Sequence, residues 1–132
     1  MAKRGVSVVI PCLNEAGTIG QAVDEAFCGI EAAGLPGEVL VADNGSTDGS
    51  ISIAQQQGAR VVDVPERGYG AALHHGICSA SFDYVVFADA DMSYPFIEIS
   101  SLIQPLLEGR SNFVLGSRLL GKMEKGAMPL LN

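Results

Sequence analysis

Residues 39–49 read VLVADNGSTDG, a short apolar run that ends in a carboxylate and leads through an Asn-Gly turn toward a helix. The run 39–41 has the β-branched content of a buried strand. Asn-Gly favours a turn with positive φ, and Ser46 or Asp48 can accept hydrogen bonds from the first N–H groups of a following helix. The stretch therefore predicts a strand, a tight turn and a capped helix in immediate succession.

Four other short apolar runs have the same character, and each is bounded by Gly, Pro, Asn or Asp. They are residues 6–10, 60–64, 84–88 and 113–115. Between the runs, apolar residues step by three and four, which predicts helices. These helices span residues 19–33, 49–57, 71–80 and 95–107, and Gly34 with Pro36 is expected to end the first. Apolar strands alternating with helices predict an α/β fold, a Rossmann-like, mainly parallel sheet with helices on both faces.

Composition narrows the class of protein. The chain has 132 residues, 48% of them apolar and 17% charged, which fits one folded domain rather than a disordered chain. Eight basic and fifteen acidic residues give a net charge of −7, which argues against a nucleic-acid partner. Cys12, Cys28 and Cys78 form no C-x-x-C pair, so we expect small core thiols in a reducing cytoplasm. No apolar run approaches the ~20 residues of a membrane span.

Polar residues follow every predicted strand, at the edge of the sheet where ligands bind in such folds. They are Asn14 and Glu15, Asp43, Arg67 and Gly68, Asp89 and Asp91, and Ser117 and Arg118. Asp89 and Asp91 are separated by one residue, and two close carboxylates repel unless a cation lies between them. Hard oxygen ligands select Mg²⁺ or Mn²⁺. The alternative is a solvated turn in which Asp91 or Ser93 caps the next helix.

The other loops suggest a nucleotide. Asp43 ends its strand at the ligand-binding edge of the sheet, where a carboxylate can accept N–H bonds from a nucleotide base. The need for a turn alone accounts for the rest of that segment. Gly68 and Gly70 allow close approach of a diphosphate to a helix start, but their spacing is not the dinucleotide pattern G-x-G-x-x-G. His74 and His75 are adjacent on a helix and point in different directions, which favours surface or capping roles.

Together, these segments resemble family 2 glycosyltransferases in order and spacing, over residues 5 to about 129. They are residues 10–15, 41–49, 68–72, 89–91 and 116–118. The resemblance leans toward the polyprenyl-phosphate branch, similar to dolichyl-phosphate mannose and glucose synthases, through the Gly-Ala-Met-Pro of residues 126–129. It implies the amino-terminal part of the A-type glycosyltransferase fold. Family members continue with an acceptor half, so we expect residues 1–132 to be a single nucleotide-sugar-binding domain, truncated at its carboxyl end.

The resemblance also implies roles for individual residues. Asp43 holds the base, Asp89 faces the ribose or the sugar, and Asp91 binds the metal on the diphosphate. The expected nucleotide-sugar-binding residues are Pro11, Asn14, Glu15, Asp43, Gly45, Arg67, Gly68 and Asp89. Two positions depart from the commonest pattern. Asn44 stands where many relatives carry a second Asp, and Met92 with Ser93 stands where mannosyl-transferring members often have Leu-Gln.

These features predict an inverting, metal-dependent transfer of a sugar from a UDP- or GDP-linked donor to an acceptor. The expected acceptor is a polyprenyl phosphate, which would bring the protein to the cytoplasmic face of the membrane. Asp89, Asp91 and Arg118 are the expected catalytic residues, with Asp91 and Asp89 holding Mg²⁺ or Mn²⁺. The planar guanidinium of Arg118 can donate two parallel hydrogen bonds to a phosphate. Because an ionised phosphate needs no general base, His74 is only a fallback for that role.

Two alternatives stay open. One is a non-catalytic nucleotide-sugar-binding module, or an inactive fragment that lacks the acceptor half. The other alternative is a haloacid-type phosphatase with a catalytic D-x-D motif, but that motif normally follows the first strand, and here it follows the fourth.

Overall fold

The computed structural model describes residues 4–87. In chain order the elements are β1 (Val6–Cys12), α1 (Ile19–Ala33), β2 (Gly37–Asp43), α2 (Ser50–Gln56), β3 (Arg60–Asp63), α3 (Tyr69–Ser79) and β4 (Tyr84–Phe87). Every strand and helix predicted within this range is present, so the alternating α/β order is confirmed there. The predicted helix 95–107 and strand 113–115 lie outside the described residues.

The four strands form one parallel sheet in the order β3-β2-β1-β4. β1 and β2 pair along their full lengths, from Val6 opposite Gly37 to Cys12 opposite Asp43. The two central strands therefore end at the same level. The loops that follow them begin side by side at the carboxyl edge of the sheet.

The first strand is longer than the sequence predicts. The apolar run predicts a strand over residues 6–10, bounded by Pro11. In the structure β1 continues to pair with β2 through Pro11, opposite Ala42, to Cys12, opposite Asp43.

Helices cover both faces of the sheet, as predicted. On one face Val8 and Ile10 of β1 join a cluster with buried residues of α1 and α2. On the other face Val9 and Leu40 pack with Ala72 of α3. Successive strand residues point to opposite faces, so a run that is apolar at every position needs a covering layer on each side. Helix α1 ends at Ala33 and is followed by Gly34, as expected.

A polar cluster closes the amino edge of the sheet; we call Ser7, Glu38, Arg60 and Ser81 the amino-edge cluster. The Ser7 hydroxyl and the Ser81 N–H donate to Glu38 Oε2 at 2.7 Å each, and Arg60 Nη2 donates to Oε1 at 3.1 Å. Burial opposes ionisation of Glu38, but these hydrogen bonds outweigh it and hold the pKa of the carboxyl below its usual range. The cluster ties β1, β2 and β3 together, far along the strands from their carboxyl ends.

The cysteines differ in part from the prediction. Cys12 is buried, whereas Cys28 and Cys78 are exposed, so the expectation of core thiols is wrong for those two. The reason is their position on the outer faces of α1 and α3, which a small apolar side chain tolerates without burial. No helix within residues 4–87 is long and apolar enough to cross a membrane.

Candidate functional site

Three loops meet at the carboxyl edge of the sheet. The first loop (residues 13–18) joins β1 to α1, the second loop (44–49) joins β2 to α2, and the third loop (64–68) joins β3 to α3. The residues predicted for nucleotide binding in this part of the chain all lie in these loops or at the strand ends beside them. Because parallel strands share one direction, the sheet brings them to one edge.

Asp43, the last residue of β2, shapes the second loop. Asp43 is buried, with only 1% of its surface exposed. Oδ2 accepts the N–H groups of Gly45 at 3.0 Å and Ser46 at 2.8 Å, and Oδ1 accepts the Ser46 hydroxyl at 2.6 Å. A carboxylate oxygen can accept two hydrogen bonds. Within the described residues Oδ1 accepts one, so it retains room for one further donor.

Ser46 joins the second loop to the first. Its hydroxyl oxygen accepts the N–H of Asn14 at 2.8 Å, and Asn14 Oδ1 in turn accepts the N–H of Thr47 at 2.8 Å. Asn14 has a φ of +54°, a left-handed conformation that asparagine adopts more readily than most residues. The two loops are therefore locked by reciprocal bonds, with the Asp43 carboxylate beneath them.

A second link between the same loops lies at the start of α2. The N-cap of α2 is Gly49, and the preceding Asp48 accepts through Oδ1 the N–H and the hydroxyl of Ser50, so of the two predicted acceptors Asp48 bonds the first helical N–H. Its Oδ2 accepts the N–H of Ala16 at 3.1 Å, and Ser50 Oγ accepts the N–H of Glu15 at 2.9 Å. The Ser50 hydroxyl bond, together with the backbone donors, lowers the pKa of Asp48.

Asn44 connects the second loop to the third. Its Nδ2 donates to the carbonyl oxygens of Val64 at 3.1 Å and Glu66 at 2.6 Å, and its Oδ1 accepts the N–H of Gly68 at 2.9 Å. In return, Arg67 Nη1 donates to the backbone oxygen of Asn44 at 2.7 Å. Sequence reasoning missed this role. The available signal was an amide, which carries both donors and an acceptor, at the position directly after the strand.

Gly45 has to be a glycine for Arg67 to lie where it does. A Cβ built on Gly45 would be 2.6 Å from Arg67 Nη1, and the φ of Gly45 is +105°. The guanidinium therefore rests on the bare backbone of the second loop. This position puts a cation on the loop that follows Asp43, directly before the start of α3.

Cys12, the last residue of β1, and Glu15 of the first loop lie next to the second loop. Burial raises the pKa of the Cys12 thiol, despite the nearby Ser46 hydroxyl, whose oxygen is 3.9 Å from Sγ. The thiol is therefore neutral near pH 7 and is not set up as a nucleophile. Pro11 and Glu15 are half-buried beside it, where the resemblance places the wall of a nucleotide pocket.

The two histidines lie on α3 with separate partners. His75 Nε2 is 2.8 Å from Glu66 Oε1, whereas His74 Nε2 is 3.7 Å from Cys78 Sγ. Their ring planes are 88° apart. Within residues 4–87 no group of three or more His, Cys, Asp or Glu side chains converges as a metal site. The predicted metal and catalytic residues Asp89, Asp91 and Arg118 lie outside the described residues.

The family model described as glycosyl transferase family 2 matches residues 7–132, and the chain belongs to that family. A low-salt glycan biosynthesis hexosyltransferase, Agl6 of Haloferax volcanii, is 38% identical over 127 residues, which cover 96% of this chain and 30% of the relative. Glucosyl-3-phosphoglycerate synthase of Mycobacterium tuberculosis is 40% identical over 117 residues, covering 82% of this chain and 36% of the relative. The chain thus spans about a third of the length of these two relatives.

A solved structure agrees with the fold. The crystal structure of the Mycobacterium tuberculosis glucosyl-3-phosphoglycerate synthase, in complex with Mn²⁺, UDP-glucose and phosphoglyceric acid, superposes with a TM-score of 0.66 at 36% identity. The match covers 80% of this chain and 40% of that one. The predicted fold class, the amino-terminal part of the A-type glycosyltransferase fold, is confirmed. Neither relative's name refers to a polyprenyl-phosphate acceptor, so the family is shown and that branch is not.

Proposed function

We propose that the protein is a glycosyltransferase that transfers a hexose from UDP to an acceptor that carries phosphate. The observation that carries this proposal is the locked carboxyl edge of a family 2 chain. Asp43, Asn44 and Ser46 there join three loops around a carboxylate and a guanidinium. A preformed edge of this kind favours a ligand with a polar planar part and an anionic part. A nucleoside diphosphate has both.

The donor is assigned to the described loops as follows. Asp43 accepts an N–H of the base through the remaining capacity of Oδ1, and Pro11 with Glu15 forms the wall beside it. Asn14 and Gly45 lie next to the ribose. Arg67 faces the diphosphate, and Gly68, which has no side chain, lets the diphosphate approach the start of α3 closely, because a guanidinium and a helix start both favour negative charge.

We assign a Mg²⁺ or Mn²⁺ ion to Asp91, with Asp89 as a second ligand. Two carboxylates one residue apart are the hard oxygen donors that these ions prefer. The Mn²⁺ and UDP-glucose in the structure of the mycobacterial relative support this choice. When bound, such an ion neutralises charge on the departing diphosphate.

The transfer itself is proposed to invert the anomeric carbon. The bond from that carbon to the diphosphate oxygen breaks, and its electron pair leaves with UDP. An acceptor oxygen bonds to the same carbon from the opposite face. Arg118 is assigned to the acceptor phosphate.

Two acceptor classes share this phosphate chemistry. In a polyprenyl phosphate, the ionised phosphate attacks directly and no general base is needed. In a phosphorylated hydroxy acid, a hydroxyl attacks and a base is needed. The phosphoglyceric acid of the relative supports the second class. The sequence resemblance supports the first, which would bring the protein to the membrane surface from the cytoplasm.

The test is transfer of labelled glucose from UDP-glucose by the 132-residue chain, with Mn²⁺ or with a chelator. 3-Phosphoglycerate and a short polyprenyl phosphate serve as separate acceptors. We expect metal-dependent product with one of them and its loss in Asp91→Ala, while Asp24→Ala, which removes an exposed carboxylate on α1, keeps the activity. Metal-dependent UDP binding without transfer to either acceptor would identify a donor-binding module instead. Absence of UDP binding would reject the proposal altogether.

A further inference from the structure

We propose that Asn44 is a positioning residue for the donor site, and that it acts by holding Arg67 and Gly68 in their binding geometry. This inference rests on the proposed function, since it concerns how the diphosphate end of that site is built. Asn44 itself need not touch the donor. Its amide is already occupied by backbone groups of the third loop.

The side chain of Asn44 uses both of its functional atoms on the third loop. Nδ2 donates to the carbonyl oxygens of Val64 and Glu66, and Oδ1 accepts the N–H of Gly68. The residue is 6% exposed, so these bonds are protected from competition with water. They fix the main chain on both sides of Arg67.

The Arg67 side chain is held from the other direction. Nη1 donates to the backbone oxygen of Asn44 at 2.7 Å, which leaves the other N–H groups of the fork to meet an anion. A long exposed arginine otherwise loses considerable rotamer entropy when it binds a ligand. Because main chain and side chain are both fixed, the guanidinium is ordered before the diphosphate arrives.

An amide is needed for this role. The two carbonyl oxygens of Val64 and Glu66 require a donor, and only an NH₂ group can serve both of them. An ionised aspartate at this position would place negative charge against both carbonyls. Asn44→Asp keeps the size of the side chain and the acceptor for Gly68, but loses both donors.

The experiment measures UDP and uridine affinity of the full chain by calorimetry for Asn44→Ala, Asn44→Asp and Arg67→Ala. A double variant of the two alanine changes completes a thermodynamic cycle. We expect each Asn44 variant to bind UDP about tenfold more weakly, a loss typical of removing a residue that orients a ligand-binding group. We also expect uridine affinity to stay within about twofold, because uridine lacks the diphosphate that Arg67 faces.

The cycle separates positioning from a general loss of stability. If Asn44 acts through Arg67, the Asn44→Ala change has little further effect once Arg67 is alanine. Ser7→Ala is the matched control, because it removes another buried polar side chain at the amino edge of the same sheet. This control is expected to bind UDP normally.

The outcomes distinguish this inference from the proposed function. Failure of the wild-type chain to bind UDP would reject the proposed function. Normal wild-type binding with unchanged UDP affinity in Asn44→Ala and Asn44→Asp would overturn the positioning role. Fully additive losses in the cycle, or an equal loss of uridine affinity, would also overturn it. If Asn44→Ala does not fold, Asn44→Asp carries the same comparison.

Discussion

Replacing Gly45 by alanine is expected to weaken UDP binding about tenfold while costing the fold only about 1 kcal/mol. The φ of Gly45 is +105°. A left-handed conformation costs an L side chain about 1–2 kcal/mol. Part of this, about 0.4–1 kcal/mol, is offset because alanine has less freedom than glycine in the unfolded chain. The net destabilisation is therefore about 1 kcal/mol.

The larger effect falls on Arg67. The new Cβ would lie 2.6 Å from Arg67 Nη1, whereas such atoms pack at about 3.5 Å. The guanidinium must therefore shift by about 1 Å. The end of an arginine side chain moves at little cost to the fold, but the shift separates Nη1 from the oxygen of Asn44. Displacing a ligand-binding group by about 1 Å is enough to weaken function tenfold or more.

Gly49→Ala is a matched control in the same loop. Its φ is +94°, and an added Cβ there meets nothing within 4 Å. Thermal unfolding is expected to show the same fall in Tm for both variants, roughly 3–5 °C. Calorimetry with UDP is expected to show a loss for Gly45→Ala only. Equal UDP affinities for the two variants would refute the reasoning.

Three further predictions concern other parts of the structure. Asp43→Asn is expected to weaken uridine and UDP binding by the same factor, about ten or more, since the lost interaction is with the base; a loss confined to UDP in calorimetry would contradict this. The lowered pKa of Glu38 means that the stability from its charge is present above about pH 4.3 and is lost as pH falls further. Urea unfolding between about pH 6 and pH 3 should therefore show a smaller loss for Glu38→Gln than for the wild type, and parallel curves would argue against it. In Gly76→Ala the new Cβ would be 2.4 Å from Cγ1 of buried Val9. Such overpacking lowers stability by about 1–3 kcal/mol, which exceeds the gain of about 1 kcal/mol from replacing a helical glycine. Its Tm should fall below that of Gly70→Ala, whose Cβ meets nothing within 4 Å, and the reverse order would disprove the packing argument.

The strands and helices could be predicted because buried positions carry apolar residues at a regular spacing. Strands covered on both faces are apolar at most positions, and the buried stripe of α1 repeats every three or four residues. The strand order could not be predicted in the same way. All four described strands have short apolar runs of similar composition, so nothing local identifies β1 and β2 as the two central ones. The extension of β1 through Pro11 follows its pairing with β2, which the residues of β1 alone do not reveal.

The site could be predicted as a location more readily than as a set of bonds. Strand polarity alone brings Asn14, Asp43 and Arg67 to one edge. Which atoms meet depends on loop conformation at the scale of a single hydrogen bond. Ser46 and Asp48 were equal candidates for the helix cap, but Ser46 is drawn to Asp43 and Asn14. The role of Asn44 depends on three backbone groups of a loop twenty residues away, which no local pattern specifies.

The most direct test of the proposed donor site is to map UDP on the chain by NMR in the presence of Mg²⁺, following backbone amide shifts during titration. The account predicts the largest changes at Asn14, Gly45 and Gly68 in the three loops, with the amides of Ser7 and Ser81 at the amino edge unchanged. Shifts concentrated at the amino edge, or a saturating titration that leaves the three loops unmoved, would contradict the assignment of the carboxyl edge as the nucleotide-sugar site.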